Sequence, residues 1–161
     1  MKILGIDPAL TLLGWGVIET RLPKIHYVAS GVIKTSPAEP VHKRLSYITG
    51  QIMDIIEHHK PDLIAMEETF VNMNALSSLK LSYARGAIMA LIGKYDLPYF
   101  EYKPNMIKKT VVGAGHAEKH QLAHMIKLIL SGVPSLGKFD EADALAVAYT
   151  CSVLSNSVFQ K

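Results

Sequence analysis

The sequence predicts an α/β fold in which a mixed five-stranded sheet carries helices on both faces. Three observations lead there. Three β-rich runs stand in series before residue 35, and from there short apolar runs alternate with stretches of helical periodicity. The 161 residues are 49% hydrophobic and 19% charged, enough apolar material for one core and too interrupted for a membrane protein. Residues 2–7 form the first expected strand, stopped by Pro8. Gly14-Trp15-Gly16-Val17-Ile18 and Ile25 to Lys34 are two more strands in a meander with it. From Val41 to His59, Leu45, Ile48, Ile52, Ile55 and Ile56 recur at helical spacing, and Pro61-Asp62 ends that helix. Leu63-Ile64-Ala65-Met66 is a short apolar run suited to a buried strand. A long helix is expected from about Asn74 to Lys94, then a strand over Leu97 to Tyr102. A short helix begins at Pro104, and two more cover about Ala117 to Leu130 and Asp140 to Leu154.

One domain over 1–161 is the expectation at this length, with disorder expected from about residue 155. No stretch approaches the ~20 apolar residues of a membrane span. Asp7 and Pro8 interrupt the start before a signal-peptide core can form, so a soluble cytoplasmic protein without membrane partners is expected. Cys151 is the only cysteine, which excludes an internal disulfide and a Cys-rich zinc site. The net charge is only +3, yet residues 80–127 hold eight cations, Arg85, Lys108 and Lys119 among them, against three acids. That half of the chain suits a polyanionic partner without requiring one.

The acids carry the chemistry. Open α/β sheets gather ligands at the carboxyl ends of parallel strands, near a switch point in strand order. Asp7 closes the first strand on the face shared with Ile3 and Gly5, and Glu67 follows the run that begins at Leu63. Asp140 and Asp143, three apart at the start of the last helix, share a face. Singly, each has a plain structural role as a turn residue or helix cap. Together, four converging carboxylates repel unless cations sit between them. Oxygen donors of this kind select Mg²⁺, with Mn²⁺ as a substitute, and four suffice for two ions per site, the arrangement used for phosphoryl displacement. His116, His120 and His124 recur at helical spacing but lack a third ligand type and fit a solvated surface better.

Ile3-Leu4-Gly5-Ile6-Asp7-Pro8 followed by Gly14-Trp15-Gly16-Val17 resembles the first motif of the RuvC family of Holliday junction resolvases, within the RNase H-like fold. Ala65-Met66-Glu67-Glu68-Thr69-Phe70, with Asn74 and Ala84-Arg85-Gly86, is similar to the second. Thr110-Val111-Val112-Gly113, Gly115 and Ala117-Glu118-Lys119 are similar to the third, and Asp140-Glu141-Ala142-Asp143-Ala144-Leu145-Ala146 to the closing acidic motif. The resemblance implies that Asp7, Glu67, Asp140 and Asp143 are the metal-binding catalytic acids and that Lys119 takes part in the chemistry. It implies further that Lys108, Arg85 and Phe70 meet DNA, Phe70 by stacking on opened bases. The chain departs from the pattern in the loop after Asp7-Pro8, where Ala9-Leu10 replaces Gly-Ser and Leu13 replaces a Thr.

The expected function is paired symmetric nicking of four-way junction DNA in recombination and repair. A metal-activated water would attack the phosphodiester and leave 5′-phosphate and 3′-hydroxyl ends. The junction's two-fold symmetry calls for a homodimer. One apolar stripe of the long helix, Leu76, Leu79, Tyr83, Ala87 and Ala90, offers a face for it. The resemblance also implies partnership with the RuvA and RuvB branch-migration proteins. Three other functions compete: a YqgF-type nuclease on structured RNA, a fragment of a sugar-kinase or actin-like ATPase, and a junction-binding module without catalysis. The ATPase needs a second domain for which this chain is too short.

Overall fold

The computed structural model describes residues 1–21, 23–68 and 75–159, with side chains through Ser155. Its elements run β1 (Lys2–Asp7), β2 (Leu12–Arg21), β3 (Lys24–Lys34), α1 (Val41–His59), β4 (Leu63–Glu67), α2 (Ala75–Ile92), β5 (Tyr99–Tyr102), α3 (Pro104–Val112), α4 (Lys119–Ile129) and α5 (Phe139–Phe159). The sheet order is β3-β2-β1-β4-β5. β1, β2 and β3 pair antiparallel as a meander, while β4 and β5 join β1 in parallel. β1 therefore stands at the change of strand sense.

Both faces of the sheet are covered. Ile3 and Leu63 point into a core shared with α3, α4 and α5, whereas Leu4, Ile6, Ile64 and Met66 face α1 and α2. Burial on both sides explains why β1 and β4 read as unbroken apolar runs. Each such side chain contributes roughly 1.5–3 kcal/mol on leaving water. α1 has the predicted bounds, because Ile48, Ile52 and Ile56 form one buried stripe and Lys60, in the left-handed conformation before Pro61, stops it.

Two elements differ by more than two residues from the sequence expectation. β2 spans ten residues rather than five, since ladder pairing with the long β3 carries it from Leu12 to Arg21. α5 continues to Phe159, five residues beyond the expected end, with no glycine or proline in 155–159 to break it. The apolar loop after Asp7 also finds its reason. Leu10 and Leu13 are buried in the core beneath α1, which pins the loop to the body of the protein and leaves Thr11 exposed.

α5 is seated by glycine. A Cβ on Gly5 would come within 2.6 Å of the Ala148 amide nitrogen, and one on Gly14 would fall against the Asp140 carbonyl. Hydrogen side chains on β1 and β2 thus let the first turns of α5 lie directly on the sheet. That contact fixes the height at which Asp140 and Asp143 stand above Asp7.

Candidate active site

The register Ile6↔Met66 places Asp7 and Glu67 side by side at the carboxyl edge of two parallel neighbours, as the strand-end rule predicts. Both point toward α3, α4 and α5. With Asp143 from α5 they line one cavity of about 200 Å³, together with Lys108 from α3, Lys119 from α4 and the apolar Ile107 and Leu122. A larger cleft of about 780 Å³ lies between β3 and the end of α1, but none of the four candidate acids reaches it. Chemistry, not size, singles out the smaller one.

The electrostatics are those of crowded, buried carboxylates. Burial, reinforced by the charges of Glu67 and Asp143, pushes the Asp7 carboxyl up to about 8. Glu67 is pushed up to about 7, again mainly by burial and then by Asp143, while Lys119, Lys108 and Arg85 oppose the rise. Asp143 is also raised, because its burial outweighs the Lys119 ammonium 3.2 Å away. Lys119 is raised in turn, chiefly by Asp143, and stays charged. Asp140 sits one turn before Asp143 and outside the cavity lining, close enough that its charge acts on Asp7, Asp143 and Lys119.

Lys119 is the first residue of α4, and the Glu118 amide just before it donates to Gln121 Oε1 at 3.0 Å. This end contact orients the lysine, and its sequence signal is the spacing Glu118-x-x-Gln121. Lys108 projects from α3, whose start is set by Pro104 at a position that needs no amide proton. Arg85 is engaged within the protein. Its guanidinium donates to the Glu67 carbonyl and pairs with Glu101, leaving the side chain 14% exposed. Tyr99 joins this group, its hydroxyl donating to Glu101 at 2.7 Å. No local pattern announces the bracket, because α2, β4 and β5 meet only on folding.

Phe70 lies outside the described residues. His116, His120 and His124 are exposed, and His120 pairs only with Glu118. Among the described residues no three His, Cys, Asp or Glu side chains are drawn together tightly enough to hold a metal ion as they stand. The donor set nonetheless suits a hard cation. Asp7, Glu67 and Asp143 present oxygen alone, and their raised carboxyls measure the unfavourable charge that a cation would neutralise.

Known proteins share this architecture. The family model for crossover junction endodeoxyribonuclease RuvC matches residues 3–151. The crossover junction endodeoxyribonuclease RuvC of Rickettsia bellii is 58% identical over 156 residues, covering 97% of this chain and 99% of the relative. That of Rickettsia felis is 54% identical over 154 residues, covering 96% and 99%. Among solved structures, Thermus thermophilus RuvC in complex with a Holliday junction substrate superposes with a TM-score of 0.91 at 31% identity, covering 98% of this chain and 96% of that one. The yeast mitochondrial Holliday junction resolvase, at 14% identity and a TM-score of 0.66, shares the fold. With every strand-end acid in its expected place and the match running almost end to end, the chain belongs to the RuvC family of crossover junction endodeoxyribonucleases.

Proposed function

We propose that this endonuclease resolves Holliday junctions by hydrolysing one phosphodiester on each of two opposed strands, leaving 5′-phosphate and 3′-hydroxyl ends. The observation that carries the proposal is the convergence of Asp7, Glu67 and Asp143, from β1, β4 and α5, on one cavity with two lysines. Asp7, Glu67, Asp140 and Asp143 would hold two Mg²⁺ ions, with Mn²⁺ as a substitute. Bound there, the ions would supply Lewis-acid activation of water and charge neutralisation at the scissile phosphate.

The remaining work falls to the chain's own groups. The carboxylates of Asp7 and Glu67, fixed to adjacent strand ends, define the position of the reacting phosphate. Lys119 places a permanent cation 3.2 Å from Asp143, where it can stabilise charge that grows on the phosphoryl oxygens. Lys108 lines the same cavity and draws the DNA backbone inward. Arg85, spent on Glu67 and Glu101, acts as a brace that holds the Glu67 strand end in place. Setting the four acids aside leaves seventeen cations against ten acids, so the rest of the chain favours DNA.

A homodimer would bring two such sites to one junction. Leu76, Leu79 and Tyr83 support it, since they lie exposed along α2 while Ala84, Ile88 and Ile92 pack inward. Family membership supports action with RuvA and RuvB, in the cytoplasm. The test is an end-labelled four-way DNA junction incubated with Mg²⁺ or with EDTA, beside Asp7→Asn. Paired symmetric nicks that require both Mg²⁺ and Asp7 are expected. Tight binding with no nicks in Mg²⁺ would sink the catalytic assignment.

A further inference from the structure

A second concave site opens on the same edge of the sheet. β3 ends at Lys34, paired with Leu12 of β2, and α1 begins at Val41 after Pro40, with no side chain capping its first amides. Between them lies a cavity of about 250 Å³ lined by Lys34, Thr35, Ser36, Lys43, Arg44 and Tyr47, with Glu39 as its one acid. Arg44 is the unusual member. It is only 5% exposed, yet it enters no ion pair among the described residues, and neither do Lys34 and Lys43.

The guanidinium is held by neutral oxygens alone. Nε donates to Thr35 Oγ1 at 2.8 Å, and Nη2 donates to the Leu10 carbonyl at 3.1 Å and to Thr11 Oγ1 at 2.9 Å. Nη1 has no hydrogen-bond partner among the described residues. It is not among the fully buried atoms, so it keeps some contact with solvent, and Arg44 lines the cavity. A buried cation without a counter-charge is unfavourable unless an anion arrives to pair with it. A neutral donor would hold the Leu10 and Thr35 loops together without that cost. Two exposed lysines and an uncapped helix start face the same space, and all favour negative charge.

We propose that the Lys34–Lys43–Arg44 cavity is a phosphate site for the DNA backbone, which it holds to one side of the cleavage cluster on the same strand path. The inference rests on the nuclease reading of the Asp7 cavity, because it assigns both cavities one substrate. β3 is two strands from β1, about 10 Å across the sheet at ~4.8 Å per strand, with this cavity on the α1 side of the sheet's end and the Asp7 cavity on the α5 side. Thr11 joins the two sites, since it follows Asp7 by four residues and accepts from Arg44. A backbone phosphate seated on Arg44 would therefore also fix the loop that leaves Asp7.

Arg44 variants risk unfolding, so the exposed lysines carry the test. Affinity for a four-way DNA junction is measured in EDTA by anisotropy from about 50 mM to about 400 mM salt. Lys34→Gln with Lys43→Gln should reduce the slope of log affinity against log salt by about 1.8 and weaken binding on the order of 10- to 60-fold near 0.1 M. Glu39→Gln, which removes the acid from the cavity rim, should tighten binding. A control pair, Lys24→Gln with Lys60→Gln, removes two charges at the opposite edge of the sheet and should change the slope by less than half as much. Equal losses in the two double variants, or an unchanged slope in the first, overturn the proposal. Failure of the wild type to nick the junction in Mg²⁺ is a separate readout and would count against the nuclease reading alone.

Discussion

Replacing Asp7 by Asn should abolish cleavage and at the same time make the metal-free protein more stable. The Asp7 carboxyl is pushed from 3.8 to about 8 by burial and by its acidic neighbours. At ~1.4 kcal/mol per pH unit, ionising it in the folded state costs on the order of 5 kcal/mol relative to water. Asn removes the charge but leaves an amide in a partly satisfied setting, which costs ~1–3 kcal/mol. The net gain is about 2–4 kcal/mol, or roughly 5–10 °C in Tm at ~2–4 °C per kcal/mol for a chain of this size. Because the folded carboxyl is raised, the native state holds an extra proton between about pH 4 and about pH 8. Wild-type stability is therefore greatest below that window and falls as pH rises through 8. Thermal unfolding in EDTA at pH 8.5 and pH 5 measures both effects. Asp7→Asn should melt higher at pH 8.5, with the gap narrowing toward pH 5. A variant that melts at or below wild type at pH 8.5, or a gap indifferent to pH, would refute the reasoning.

Three other outcomes follow from the same geometry. Lys119→Met should lower the nicking rate about 100- to 1,000-fold at saturating junction, measured in single turnover, because it removes the fixed cation of the site. Gly14→Ala should cost on the order of 1–3 kcal/mol in urea unfolding and slow nicking, since the new methyl meets the Asp140 carbonyl and lifts the start of α5. Arg85→Leu should slow nicking more than it weakens junction binding, a split read by comparing single-turnover rates with anisotropy. The opposite split would make Arg85 a DNA contact after all.

Much of the site was legible because it follows from short-range rules. Period-two alternation put Asp7 on the face of Ile3, and the strand-end rule paired it with Glu67. The three-residue spacing put Asp140 and Asp143 on one helix face. What stayed hidden depends on contacts between distant elements. Arg85 looks in sequence like a basic surface residue, and only the meeting of α2, β4 and β5 turns it inward. Arg44 reads as the polar side of an amphipathic helix, yet Leu10, Thr11 and Thr35 fold over it. Leu10 and Leu13 depart from the family pattern in sequence, and burial of both leucines gives the departures a packing role. The glycines of β1 and β2 carried a signal that strand propensity alone does not weigh: a missing side chain can be the docking surface for a helix.

That docking surface also bears on synthesis. Asp7 and Glu67 leave the ribosome with β1 and β4, but Asp140 and Asp143 arrive on α5 after every other element. Until α5 settles on Gly5 and Gly14, the emerging chain has two of the four proposed acids, and one face of the sheet lacks its main cover. A polypeptide made only as far as α4 therefore lacks Asp140 and Asp143, two of the four proposed acids.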